Sequence, residues 1–85
     1  MKQFYLEIIT PAGRVFEGEA ERLTLPTTAG PVCIMAGHID YFAKLEIGSA
    51  RLTVEGKTRE ARCAGGVMSV SDGRVEVTTM EFDWK

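Results

Sequence analysis

The sequence predicts an all-β protein, an antiparallel β-sandwich or flattened barrel of about ten short strands. Short runs of β-favouring residues return every eight to twelve positions or so, separated by Gly, Pro and Asp turns. No window keeps apolar residues at i, i+3, i+4 and i+7 long enough to place a helix. The length of 85 residues provides for one core only, because a chain of this size buries roughly 60 to 65% of its unfolded surface. The whole chain, 1–85, is therefore read as a single domain, with strands filling 1–79 and a C-terminal tail at 80–85.

Taken in order, Phe4 to Ile9 alternates Phe4, Leu6 and Ile8 against Tyr5, Glu7 and Ile9, and Thr10-Pro11-Ala12-Gly13 turns it into a hairpin. Arg14 to Glu17 returns, Gly18 is expected to break the strand, and Ala20 to Leu25 runs out toward Pro26. A loop from Pro26 to Pro31 follows, then a short buried strand, Val32 to Met35, bracketed by turns at Gly30 and Gly37 with the only histidine, His38, at its exit. Ile39 to Lys44 is open between a helical turn and an extended segment. Ala50, Leu52 and Val54 share one face of the next strand, Glu55-Gly56 is a tight hairpin signal, and Lys57 to Ala64 is the return. Gly65-Gly66 marks a kink or bulge, and Asp72-Gly73 joins a final hairpin of Val67–Val70 and Val75–Thr79. In the tail, Phe82 and Trp84 are expected to cover the open edge or end of the sandwich.

Composition narrows the function. A net charge of −2, with Arg51, Lys57, Arg59 and Arg62 interleaved with Glu55 and Glu60, argues against a nucleic-acid partner. No run approaches the roughly 20 apolar residues of a membrane helix, and the first residues lack the apolar segment of a signal peptide, so neither lipid insertion nor export is expected. Cys33 and Cys63 form no disulfide framework and no zinc pattern; both are expected to be buried, reduced thiols. No metal, nucleotide or other cofactor site is expected. Glu7, Glu17, Glu19 and Glu21 read as solvated strand faces, and Gly65-Gly66 lacks the Lys-Ser/Thr and the helix that a phosphate loop needs. His38, with Asp40 and Cys33 near it in sequence, is the one candidate catalytic base, and its place beside a turn favours a structural or interface role.

Three blocks carry a family resemblance: Leu25-Pro26-Thr27-Thr28-Ala29-Gly30, Ile34-Met35-Ala36-Gly37-His38 and Leu45-Glu46-Ile47-Gly48. Agreement continues upstream through Phe4 to Glu19 and downstream at Ala64-Gly65-Gly66-Val67-Met68-Ser69-Val70. In this order and spacing they resemble the N-terminal β-sandwich of the epsilon subunit of F-type ATP synthases. The resemblance implies a non-catalytic subunit of the central stalk, fixed to the gamma subunit and resting on the ring of c subunits. Such a subunit couples proton-driven rotation to ATP synthesis at the cytoplasmic face of the bacterial plasma membrane. It places the gamma-facing surface on Thr10, His38 and Ala43, and the ring-facing loop on Ala29, Gly30, Pro31 and Val32.

The sequence departs from the family pattern at Pro31, where an acidic or polar residue is common, at Cys33, where glycine is, and at Ala36, where proline is usual before Gly-His. The Ala-, Glu- and Arg-rich helices that follow the sandwich in typical members do not occur within these 85 residues. Taken as a whole gene product, the chain is expected to be a coupling subunit without an inhibitory arm or a nucleotide site. Two other classes compete with this reading. A free-standing sandwich that binds a small molecule or peptide would need an exposed aromatic platform, whereas most of the seven aromatic residues fall in strand-core patterns. A small hydrolase would need Cys33 or Cys63 paired with His38.

Overall fold

Alternation of apolar and polar residues turns each strand into a two-faced ribbon, and two such sheets bury their apolar faces against each other. The computed structural model describes residues 2–85 and contains ten strands: β1 Phe4–Thr10, β2 Gly13–Ala20, β3 Arg22–Thr27, β4 Gly30–Met35, β5 Tyr41–Lys44, β6 Ile47–Val54, β7 Lys57–Ala64, β8 Val67–Ser71, β9 Arg74–Thr78 and β10 Phe82–Trp84. They form two five-stranded sheets, ordered β2-β1-β9-β8-β5 and β10-β7-β6-β3-β4, here called the first and second sheet. Leu6, Ile8, Met68, Val75 and Val77 of the first sheet meet Leu23, Leu25, Ile34, Leu52 and Ala61 of the second in one core. The expected all-β sandwich is the observed fold.

The tight hairpins follow the predicted turn chemistry. Glu55 and Gly56 have φ of 51° and 77°, and Asp72 and Gly73 have 51° and 74°, the paired positive values of a two-residue turn that matches strand twist. Other elements differ from the sequence reading. Gly18 does not break β2; it pairs with Leu6, and the Phe16 ring lies 3.8 Å from where a Gly18 Cβ would stand. β1 and β9 pair in parallel, an arrangement between distant segments that no local pattern announces.

The loop expected from Pro26 to Pro31 shrinks to Thr28 and Ala29, because both prolines lie inside strands, opposite each other. Neither has an N–H, so this pair occupies a site of the β3–β4 ladder where no hydrogen bond is exchanged. The other side of Pro26 faces a stretch where the regular β3–β6 pairing, Arg22 to Thr24, has ended, and its C=O there accepts the Glu46 N–H at 2.9 Å.

β4 is a border strand rather than a buried one: Ile34 is enclosed, while Cys33 and Met35 are exposed. The expectation of two buried thiols therefore holds for Cys63 alone. Of the segment left open at Ile39–Lys44, Tyr41–Lys44 is strand β5 and Ile39-Asp40 leads into it. The tail is a tenth strand, pairing Phe82 with Cys63 and Trp84 with Ala61 and burying Phe82. Of the seven aromatic residues, Phe4 and Phe82 are enclosed and Phe16, Tyr41 and Trp84 pack against the core, as the strand pattern suggested, while Phe42 stands in solvent.

Among the glycines, the one with least room lies in the connection between β7 and β8. At Gly66, φ is +107°, and a Cβ there would stand 2.0 Å from the Thr78 carbonyl oxygen. Backbone, unlike a flexible side chain, cannot move aside cheaply. Gly66→Ala is expected to cost about 3 kcal/mol or more, read as a lower urea midpoint with an unchanged m-value.

Candidate functional site

Thr10 closes β1. Its Oγ1 accepts the Ala12 N–H and donates to the Gly13 carbonyl, both at 3.2 Å, so the side chain serves its own turn. His38 follows the turn after β4, where its N–H donates to the Met35 carbonyl at 3.1 Å. Its Nδ1 lies 2.7 Å from the Ile39 carbonyl, which can only accept, so Nδ1–H donates to it. The ring meets Tyr41 edge-on at 5.8 Å. Cys33, His38 and Asp40 are not gathered into a catalytic group: Cys33 projects from the outer face of β4, His38 bonds backbone, and Asp40 accepts the Asp72 N–H.

Register shows how far apart the proposed gamma-facing residues lie. Ile9, beside Thr10, shares a row with Thr78, Val67 and Lys44. His38 lies beyond the opposite end of β5, past the row of Leu6, Val75, Val70 and Tyr41. Two strands, β9 and β8, also separate β1 from β5. Thr10 and His38 are thus at diagonal corners of the first sheet. Ala43 is 9% exposed and points into the core, so its side chain offers no contact surface. Strand alternation hands that role to its neighbours Phe42, 67% exposed, and Lys44. Sequence reading missed Phe42 because four residues of strand are too few for alternation to declare which face is outward.

The outer face of the first sheet has two halves of different character. Over β2, β1 and β9, the nearly buried Glu7 receives Arg14 at 3.0 Å and Arg74 at 3.9 Å. Arg14 also pairs with Glu17 and Arg74 with Glu76. Tyr5 donates to Glu17 under the Arg74 guanidinium, and that hydrogen bond to a carboxylate pushes the phenol above its ordinary value. In this half Glu7, Glu17 and Glu76 are each paired with an arginine, and Glu19 is not. Over β8 and β5 stand Val67, Ser69, Phe42 and Lys44; Ile39, 76% exposed, lies two residues before β5 begins, and Lys44 forms no ion pair among the described residues.

The ring-facing set sits on the β3–β4 hairpin. Ala29 is at its exposed tip, while Gly30, Pro31 and Val32 are already strand, with Pro31 outward and Val32 half-buried against the core. Thr27 Oγ1 accepts the Ala29 N–H at 3.2 Å and donates to the Gly30 carbonyl, which stiffens the tip. The predicted structural turns at Gly13, Gly37, Gly65 and Gly66 all have positive φ, as does Gly30. A shallow groove of about 250 Å³ opens between the sheets at the β2 side, lined by Phe16, Val54, Lys57, Arg59 and Trp84. The Arg59 guanidinium caps Trp84, one of the two aromatics lining the groove, at 4.1 Å.

The fold is a two-sheet β-sandwich whose first sheet has an outer face divided between an ion-paired half and an apolar half. Residues 3–85 match the family described as the ATP synthase Delta/Epsilon chain, beta-sandwich domain, and the chain belongs to it. It is 36% identical over 85 residues to the ATP synthase epsilon chain of Ruminococcus albus, covering 99% of this chain and 63% of that one. To the epsilon chain of Desulfitobacterium hafniense it is 36% identical over 74 residues, 87% of this chain and 56% of that one. In the cryo-EM structure of the Euglena gracilis mitochondrial ATP synthase (OSCP/F1/c-ring), one chain superposes with a TM-score of 0.90 at 25% identity, covering 96% of this chain and 53% of that one. A chain of the Tetrahymena thermophila mitochondrial ATP synthase central stalk and c-ring, at 17% identity and a TM-score of 0.82, shares the fold. The chain thus spans a little over half the length of the relatives it matches.

The two thiols separate by burial. Cys33 is expected to react with a thiol reagent in the native protein, and Cys63 only after unfolding. Burial pushes the Cys63 thiol above its ordinary value of 9.0, partly offset by its hydrogen bond with Thr79. Because the folded thiol holds its proton longer than the unfolded one, its contribution to stability is full below pH 9.0 and is lost as pH rises through the folded value. Urea midpoints measured on either side of that pH should fall more steeply for the parent than for Cys63→Val.

Proposed function

We propose that this sandwich is the docking domain of a non-catalytic rotor subunit in a proton-translocating F-type ATP synthase. On this reading it sits at the foot of the central stalk, peripheral to the cytoplasmic face of a bacterial plasma membrane. The gamma subunit takes the β8–β5 half of the first sheet's outer face, with Phe42 as anchor and Thr10 and His38 at the far corners. The c ring takes the hairpin tip, Ala29 and Pro31. The observation that carries this assignment is the division of that outer face. One half is largely tied up by ion pairs around Glu7; the other presents Phe42 and Val67 beside Lys44, which forms no ion pair among the described residues, with Ile39 exposed before the other end of β5. Interfaces concentrate their energy in such exposed aromatic anchors.

The mechanical argument agrees. A rotor element must pass torque without yielding, and a core packed at crystal-like density deforms little. The names of the relatives and the c-ring-containing assembly in which the Euglena chain lies support the same role. No step of bond chemistry is assigned to this chain.

The test is affinity for the gamma subunit of the same organism, measured by co-purification and then by titration. Phe42→Ala is expected to weaken binding by about 2 kcal/mol, roughly thirtyfold, with an unchanged thermal transition. His38→Glu and Thr10→Arg are expected to weaken it less, since both lie at the border. Full-strength binding by Phe42→Ala would reject this face.

A further inference from the structure

Four strands border the two sheets: β2, β5, β10 and β4. Sheet borders carry unpaired backbone groups, and proteins that stay apart blunt them with charge, irregularity or shortness. β2 carries Arg14, Glu17 and Glu19 beside a register shift. β5 has four residues and ends at Lys44, whose carbonyl already accepts the Thr28 N–H at 3.0 Å. β10 has three residues, one of them Asp83. β4, Gly30-Pro31-Val32-Cys33-Ile34-Met35, is six residues long and has no charged side chain.

The direction of its backbone groups follows from the two prolines. Pro26 and Pro31 form a non-hydrogen-bonded pair, so Leu25–Val32 and Leu23–Ile34 are the bonded pairs of the ladder. The backbone groups of Pro31, Cys33 and Met35 therefore point away from β3, toward solvent. Pro31 has only a carbonyl to offer. The Met35 carbonyl is taken by the His38 N–H at 3.1 Å. What the border presents is the Pro31 C=O, the Cys33 N–H and C=O, and the Met35 N–H.

That set is complementary to itself. We propose that β4 is a self-recognition edge, at which two copies of this chain pair antiparallel about a two-fold axis through Cys33. In that register Cys33 faces Cys33 of the second copy and the two exchange both of their hydrogen bonds. Each Met35 N–H donates to Pro31 of the other copy. The two groups that this register would otherwise strand are the N–H of Pro31 and the C=O of Met35. The first does not exist and the second is already used, so no group is left over. On the outer face, Met35, 48% exposed, lies across from Pro31 of the second copy, and the two cysteines lie side by side. The second sheets of the two copies become one sheet of ten strands. This pairing rests on the β4 backbone and not on the stalk reading, and because it covers Pro31, a copy seated on the ring would be unpaired.

Sedimentation velocity over a concentration series, with amide hydrogen exchange on the same samples, tests it. The sedimentation coefficient is expected to rise from monomer to dimer, and the amides of Cys33 and Met35 to slow with concentration, while the amide of Val32 is protected throughout. Cys33→Glu, which opposes two like charges on the axis at an exposed position, is expected to weaken pairing about tenfold or more, and Cys33→Ser to leave it intact. Diamide, an azo oxidant that takes two electrons and two protons from two thiols, is expected to trap a Cys33–Cys33 dimer, since Cα atoms about 5.5 Å apart suit a disulfide. A monomer at every concentration, concentration-independent exchange at Cys33 and Met35, or a dimer equally strong in a folded Cys33→Glu variant would each overturn the assignment.

Discussion

The sandwich depends on one crowded corner. Three of the connections that carry the chain from one sheet to the other meet there: Leu45-Glu46 between β5 and β6, Gly65-Gly66 between β7 and β8, and Thr79-Met80-Glu81 between β9 and β10. They are tied by backbone bonds, Leu45 N–H to Gly66 C=O at 2.9 Å, Ala64 N–H to Glu81 C=O at 3.1 Å and Gly65 N–H to Glu46 C=O at 3.4 Å. The buried Thr79 adds a side-chain bond to the Gly65 carbonyl at 2.6 Å, with the Cys63 sulfur 3.5 Å away. Thr79 N–H also donates to the Ile9 carbonyl, which brings β1 to the same point. A chain that changes sheet exposes polar backbone at the rim of an apolar core, and leaving such groups unpaired costs free energy comparable to a lost hydrogen bond each. Bundling three crossings lets each satisfy another.

This corner also explains why the outer faces can be specialised. Because the sheets are held by the core and by the crossings, residues on the outer side of the first sheet are free of structural duty beyond local pairing. Over β1, β2 and β9 that freedom is used for a charged lattice around Glu7. The lattice keeps a nearly buried carboxylate compensated, since an uncompensated one would be costly. Over β8 and β5 the same freedom leaves apolar side chains uncovered. A partner that docks on the second half meets no ion pairs that must be broken first.

How much of this was legible in the sequence depended on range. The Glu55-Gly56 and Asp72-Gly73 hairpins and the bounds of β7 could be read directly, because turn type is fixed by adjacent residues and alternation runs for eight positions. The strand boundaries at Pro26 and Pro31 could not, since a proline is excluded from a ladder only where its missing N–H would be used, and that depends on the strand opposite. The parallel β1–β9 pair and the β10 strand are likewise decided by segments tens of residues apart in the chain. Gly66 was recognisable as a place where only glycine fits, but the Thr78 carbonyl that makes it so was not.

The candidate site shows the same limit more sharply. A resemblance transfers a position along the chain, whereas contact is made by a face, and in a strand the two differ by a single residue. At β5 the transferred position, Ala43, lies in the core, and the outward direction belongs to Phe42 and Lys44. At the hairpin the transferred stretch Ala29 to Val32 divides in the same way, with Ala29 and Pro31 outward and Val32 turned to the core. The period of two that makes a sandwich possible therefore halves any contact surface assigned by contiguous sequence. What remains of each stretch is the set of side chains that a partner can touch.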